Sequence, residues 1–227
     1  MSQSESNNSP LGMRIGESVF CIGYLVFALI AGIVMLSRYD GNQYMLYAGI
    51  MVLVLCFGDS FHLVPRIIRN VRGPSSRSSF YLGLGNLVSS ITMTLFYVLM
   101  FYVVCYMNGM HDVGTADYAV MVLLDIHAVV RIGLCLVPSN RWFDGVGDLK
   151  WAIIRNVPFV IMGILMVEWL LYRSIVYGWG MYLLSVLIIL SFGFYIPVVL
   201  FARKKPMVGM LMIPKTICYI VMICLFL

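Results

Sequence analysis

The chain has 227 residues, of which 62% are hydrophobic and only 11% charged, and its mean hydropathy is +0.96. Soluble domains have about 45–50% apolar and about 25% charged residues, so this composition excludes a soluble globular fold. The formal net charge of +5 comes from short Lys and Arg clusters between apolar stretches, which favours contact with lipid headgroups over binding of nucleic acid. We therefore expect a single membrane domain with membrane lipids around it and no nucleic-acid partner.

The apolar residues fall into seven stretches, each near the twenty residues that a helix needs to cross about 30 Å of hydrocarbon. Residues 1–16 are rich in Ser and Asn and are expected to form a disordered polar tail, whereas residues 17–227 are expected to form the transmembrane domain. The predicted spans are Ser18–Leu36, Tyr44–Val64, Phe80–Tyr106, Tyr118–Val137, Trp151–Tyr172, Met181–Phe201 and Val208–Leu227. The sequence thus predicts an all-α, seven-helix transmembrane bundle. Its first span has few polar residues and is expected to serve mainly for packing.

Basic residues concentrate in the loops after spans 2, 4 and 6. These residues are Arg66, Arg69, Arg72, Arg77, Arg141, Lys150, Arg203, Lys204 and Lys205. Because cytoplasmic loops carry an excess of Lys and Arg, the pattern predicts a cell-membrane protein whose N-terminus is cytoplasmic and whose C-terminus is outside.

Span 2 carries Asp59, His62 and Arg66 within about 60° of one another on a helix. A carboxylate beside an imidazole can support general acid–base chemistry on water, so Asp59 and His62 are the candidate catalytic residues. A simple neutralisation of Arg66 by Asp59 at the helix end is the structural alternative.

Further polar residues lie at a similar depth on other spans. Asn86 and Ser89 share a face of span 3, where Gly83 and Gly85 are typical of close helix packing. Arg131 lies inside span 4 and needs an anionic partner, for which Asp59 and a bound phosphate or carboxylate are both candidates.

The last three spans complete a predicted pocket. Its ligand-binding residues are Arg66, Asn86, Ser89, Arg131, Arg155, Asn156, Tyr195 and Lys215. Because basic groups outnumber the one clear acid, Asp59, the predicted ligand is an anionic or zwitterionic amphiphile.

Prolines are also expected in the inner half of the bundle. Pro158, Pro197 and Pro214 are predicted to interrupt spans 5, 6 and 7, and Pro65 and Pro138 to close spans 2 and 4. Each interior proline frees a carbonyl that side chains or water must satisfy, which favours a wet cavity facing the cytoplasm.

The residues Phe57-Gly58-Asp59, followed by Gly83-Leu84 and by Phe96-Tyr97 on the next span, resemble the lysoplasmalogenase (YhhN-like) family of membrane hydrolases. The resemblance implies a lipid hydrolase in which aspartates activate water against a vinyl ether. Only Asp59 matches a functional position of that family, because the histidine and the later Ser-Asp element of the family have no counterpart here.

Two functions are compatible with these residues. One is a membrane-embedded hydrolase of lysophospholipid-like lipids. The other is a non-catalytic binder, sensor or transporter of an anionic amphiphile, in which Asp59 only balances the charge of Lys215 or Arg131. We expect neither a metal site nor a cofactor in either case.

Overall fold

A computed structural model describes residues 11–73, 77–109, 114–144, 147–202 and 204–227. Within these ranges the long elements are all α-helices, and no strand occurs. Most of the predicted polar tail and Arg203, one of the cations used to predict orientation, lie outside the described residues.

Among the described residues, seven helices are long and apolar enough to cross a membrane, which confirms the predicted number of spans. They are α1 (Leu11–Ser37), α2 (Gln43–Arg72), α3 (Ser78–Met107), α4 (Thr115–Leu136), α5 (Leu149–Tyr177), α6 (Trp179–Phe201) and α7 (Met212–Phe226). Short 3₁₀ turns at Pro138–Asn140 and Pro206–Leu211 precede α5 and α7.

The helices form a closed ring in chain order, in which each helix packs against the next and α7 packs back against α1. Helix α3 also contacts α5 across the bundle. Half of the residues in its most apolar stretch are buried, a larger share than in any other described span. We call the end that contains the α2–α3, α4–α5 and α6–α7 connections the basic end. The start of α1 also lies there, because the Arg14 guanidinium donates to the Asn70 carbonyl near the end of α2.

Helix α1 begins at Leu11, inside the segment predicted to be a disordered tail. Its first turns are held by contacts with α2, where Glu17 forms an ion pair with Arg66 at 2.5 Å and accepts a hydrogen bond from Asn70. The polar composition of this segment could not predict these contacts, because their partners lie about fifty residues away in the chain.

Helix α2 does not end before Pro65 as predicted, but continues to Arg72. A proline cannot donate to the carbonyl four residues earlier, so Pro65 frees the Phe61 carbonyl. Gly85 of α3 packs against that carbonyl so closely that a Cβ at position 85 would overlap the oxygen. The freed Phe61 carbonyl thus lies against α3, and α2 remains helical on both sides of Pro65.

The other prolines have different effects. Pro138 follows the end of α4 and opens a 3₁₀ turn, as predicted for a closing proline. Pro158 and Pro197 lie inside α5 and α6. Pro214 does not interrupt α7, because it lies in the first turn, where its missing N–H removes no helical hydrogen bond.

At the end opposite the basic end, α4 and α5 are joined by a buried carboxylate. Asp117 accepts hydrogen bonds from Trp169 Nε1 at 2.8 Å and from the Arg173 guanidinium. The arrangement is an acid–base pair, in which the Asp117 carboxylate is neutralised by Arg173.

The contact between Gly85 and α2 leads to a prediction for stability. Gly85→Ala should lower the free energy of unfolding by about 1–3 kcal/mol, because the added methyl group forces two helix backbones apart. Gly133→Ala on α4 is the matched control, since a Cβ there has open space around it. Thermal unfolding in a mild detergent measures both variants. Equal midpoints for the two variants would contradict close packing at Gly85.

Candidate functional site

A cavity of about 270 Å³ opens between the helices at the basic end. Its walls come from α2, α3, α4, α5, α6 and α7 and from the turns before α5 and α7. The lining residues are His62, Arg66, Asn86, Ser89, Ser90, Met93, Arg131, Trp142, Arg155, Phe159, Tyr195, Val198, Val199, Gly209, Met212 and Lys215. Eight of the ten predicted site residues therefore face one cavity, and Asp59 and Asn156 do not.

Arg131 is the most unusual residue of the cavity. Its side chain is 2% exposed, and it lies five residues before the end of α4, about 8 Å into the helix. Neither Nε nor Nη1 has a hydrogen-bond partner among the described residues. The guanidinium instead stacks on Phe159, with its central carbon 3.3 Å from the ring centroid. An aromatic face offsets part of the charge but accepts neither of these N–H groups.

Lys215 and Arg155 are also placed against aromatic rings. The Lys215 ammonium lies 5.1 Å from the ring centroid of Tyr195 and 4.9 Å from that of Tyr219, and the residue is 9% exposed. Arg155 lies over Trp142 at 4.0 Å and donates to Asn140 Oδ1 at 2.8 Å. These contacts orient both cations while keeping their positive charge.

The cavity wall has an excess of positive charge. Four of the lining side chains are Lys or Arg, and within the described part of the chain no Asp or Glu lines the cavity. Arg66 is paired with Glu17, so the predicted neutralisation of Arg66 by Asp59 is wrong. The prediction failed because the acid that reaches Arg66 is on α1, in a segment expected to be disordered or merely packed.

Asp59 lies behind the wall, where it is held by its neighbours. Its carboxylate accepts a hydrogen bond from the Tyr24 hydroxyl of α1 at 2.7 Å and one from the Ser89 hydroxyl of α3 at 3.4 Å. No cation of the described residues comes within 4.0 Å of it. Asp59 thus affects the cavity indirectly, by orienting the lining residue Ser89 and by its negative charge. Helix α1 contributes a hydrogen-bond donor, Tyr24, in addition to packing.

His62 faces the cavity on the next turn of α2. Its Nδ1 is buried and has no hydrogen-bond partner in the described residues, so the predicted Asp59–His62 pair is not joined by a hydrogen bond. The two residues share a stripe of α2, but Asp59 turns towards α1 and α3 while His62 turns towards the cavity.

Asn156 and Tyr195 connect α5 to α6 at the edge of the cavity. The Tyr195 hydroxyl donates to Asn156 Oδ1 at 2.8 Å, and Asn156 Nδ2 donates to the Ala152 carbonyl at 2.7 Å. Asn156 does not line the cavity itself, and its predicted role in ligand binding stays a prediction.

Sequence reasoning missed two aromatic side chains that contact the cations, Phe159 and Trp142. In the sequence both resemble ordinary apolar or interfacial residues. Phe159 lies four residues after Arg155 but stacks on Arg131 of another helix, so helical spacing alone gives no signal for this contact.

Comparisons with protein-family models, with curated proteins and with solved structures found no match to this chain. The resemblance to lysoplasmalogenases therefore stays a prediction.

The buried Nε and Nη1 groups of Arg131 lead to a prediction for stability. Arg131→Met should raise the free energy of unfolding of the ligand-free protein by about 1–3 kcal/mol, because it removes buried N–H groups that have no acceptor among the described residues. The measurement is thermal unfolding after extensive exchange into a neutral detergent.

Arg173→Met provides the contrast, because Asp117 would lose its cation and the variant should be destabilised by about 3–5 kcal/mol. A comparable loss of stability in Arg131→Met would show that the Arg131 charge is already compensated within the protein.

Proposed function

We propose that the chain binds an anionic amphiphile, with the headgroup in the cavity against Arg131, Lys215 and Arg155. The observation that carries this proposal is the buried Arg131 guanidinium, two of whose N–H groups lack an acceptor within the described residues. Buried polar groups are nearly always hydrogen-bonded, and an unpaired buried charge is costly. A phosphate or carboxylate would accept these hydrogen bonds and balance the charge at once.

The excess of positive charge favours an anionic headgroup over a zwitterionic one. Among the described residues the wall contains Arg131 and Lys215 as buried cations and no carboxylate, because Asp59 lies behind the wall. A zwitterionic headgroup would add its own positive charge to a site that is already positively charged, and the two would repel each other.

Binding explains the geometry better than hydrolysis does. The hydrolase prediction needs Asp59 and His62 to handle a proton together, whereas Asp59 is engaged by Tyr24 and Ser89. The feature that favours catalysis is the unpartnered Nδ1 of His62 beside the cavity. Hydrolysis of a lysophospholipid remains the second candidate function.

We also propose that the protein lies in the cell membrane with the basic end in the cytoplasm. Arg66, Arg69, Arg72, Arg141 and Lys150 all lie at this end, as the positive-inside rule requires of cytoplasmic loops. The cavity would then receive its ligand from the inner leaflet or from the cytoplasm.

The binding proposal is tested with dodecyl phosphate as the probe. In a neutral detergent it should raise the unfolding midpoint of the wild-type protein, because a ligand that binds only the folded state stabilises it. Arg131→Gln and Lys215→Gln should each weaken binding about tenfold or more, since a hydrogen bond to a charged group contributes about 1.5–3 kcal/mol.

Lys204→Gln and Lys205→Gln are the matched controls, because they remove the same charge from exposed positions outside the cavity. Equal weakening by all four substitutions would mean that only overall charge matters, and the proposed site would be wrong. Mass spectrometry of a lysophospholipid incubated with wild type and with Asp59→Asn tests hydrolysis in the same samples. Absence of product from the wild type would remove the catalytic candidate.

Orientation is tested by cysteine labelling in intact cells on a cysteine-free background. Asp40→Cys, in the connection between α1 and α2, should react with a membrane-impermeant maleimide, whereas Lys204→Cys should react only after permeabilisation. Both positions are exposed. The reverse pattern would place the basic end, and the cavity with it, on the outer side.

A further inference from the structure

The outer surface of α5 and α6 carries an apolar groove directly behind the cavity wall. Its first part, of about 240 Å³, extends along α5 from Ile153 and is lined mainly by aliphatic side chains of both helices. Its second part, of about 430 Å³, has the same character, and its lining includes Ile164, Glu168, Ile189 and Gly193. Val160 and Ile196 belong to both parts, so the two form one continuous groove, which we call the α5–α6 groove.

The groove and the cavity are separated by a wall one side chain thick. Tyr195 and Val199 line both spaces. The Tyr195 ring faces Lys215 on the cavity side, while its hydroxyl is bonded to Asn156 on the groove side. The hydrogen bond from Tyr195 to Asn156 holds the Tyr195 side chain in this wall. Its net contribution to stability is modest, as for most hydrogen bonds within a protein.

The dimensions of the groove fit a hydrocarbon chain. Along α5 it extends from Ile153 to Glu168, which is about 22 Å at the rise of an α-helix, against a hydrocarbon thickness of about 30 Å. Gly193 forms part of its floor, and a Cβ at that position would have no atom within 4 Å. A glycine there leaves room that a larger side chain would fill.

Resting on the proposed function, we infer that the ligand is a single-chain amphiphile, with its anionic headgroup in the cavity and its alkyl chain in the α5–α6 groove. The wall that the two spaces share at Tyr195 and Val199 places the groove directly beside the cavity, so one molecule with a polar and an apolar part can occupy both. Polar groups converge on the cavity side, whereas the groove is apolar along most of its length. A fatty-acid carboxylate and a lysolipid phosphate share this chemistry.

Binding across the partition requires Tyr195 to turn aside. The hydroxyl then leaves Asn156, whose amide remains bonded to the Ala152 carbonyl. Pro158 and Pro197 lie within two residues of Asn156 and Tyr195 and interrupt the hydrogen-bond ladders of α5 and α6 there. The ligand would thus reach the cavity from the bilayer, between α5 and α6.

The inference is tested by photo-crosslinking in phosphatidylcholine vesicles that contain the full-length protein. The probes are an alkyl phosphate and a fatty acid, each with a diazirine near the chain end, and adducts are mapped by mass spectrometry. Saturable adducts should concentrate on groove residues such as Val160, Ile164 and Ile189. The probe that gives the higher saturable yield identifies the headgroup.

Gly193→Leu should reduce these adducts by more than about tenfold, because each methylene kept out of an apolar site weakens binding about fourfold. Gly133→Leu on α4 is the matched control, since it also adds a side chain where a Cβ meets open space, and it should leave the yield unchanged. Arg131→Gln should weaken headgroup binding about tenfold or more, so saturable labelling should be lost at the probe concentration that half-saturates the wild type.

The other outcomes separate the inference from the proposed function. Saturable labelling that is lost in Arg131→Gln but lies outside the groove, or survives Gly193→Leu, would overturn the chain position and leave headgroup binding intact. Labelling that does not saturate, spread over exposed residues such as Val129 and Ile175, would overturn both.

Discussion

The buried positive charge of Arg131 is the constraint on which the basic end of the bundle depends. A guanidinium at this depth cannot reach bulk water, and the surrounding helices supply an aromatic face in place of a carboxylate. Lys215 and Arg155 also lie against aromatic rings, those of Tyr195, Tyr219 and Trp142. An aromatic ring stabilises a cation without occupying its hydrogen-bond donors, which leaves Nε and Nη1 of Arg131 without an acceptor among the described residues.

The contrast with the opposite end of the molecule shows that a carboxylate partner was possible in this fold. There, Asp117 receives hydrogen bonds from both Arg173 and Trp169. The two ends therefore differ in how they stabilise buried charge: a carboxylate joins α4 to α5 at one end, and at the other the Arg131 guanidinium lies against an aromatic ring beside the cavity.

Helix packing keeps this space open. Gly58 and Gly85 bring α2 and α3 together so closely that a side chain at either position would overlap its neighbour. Close contact between these two helices fixes Ser89 against Asp59 and turns His62 towards the cavity. The Gly58-Asp59 pair thus has a structural explanation in this chain: the glycine permits the helix crossing and the aspartate accepts hydrogen bonds from α1 and α3.

The sequence could predict the spans and the depth of the polar residues, but not the partners of those residues. Hydropathy and proline position are local properties, so the seven helices and the cluster around Arg131 and Lys215 were accessible. The pairing of Arg66 with Glu17, the hydrogen bond from Tyr24 to Asp59 and the continuation of α2 through Pro65 each depend on a neighbouring helix. Such contacts depend on how each helix is rotated about its axis relative to its neighbours. That rotation cannot be predicted from the local pattern of a single sequence.

The position of Tyr195 relates the polar and apolar parts of the site. On one side its ring contributes to holding Lys215, and on the other its hydroxyl closes α5 against α6 through Asn156. A ligand that displaces the Tyr195 side chain can compensate for both lost contacts. Its anionic headgroup would balance the Lys215 charge, and its alkyl chain would fill the groove between α5 and α6. A soluble anion such as inorganic phosphate could replace only the first contact. The architecture therefore favours a molecule with both parts over a small ion, and this preference comes from the partition itself rather than from the number of cations.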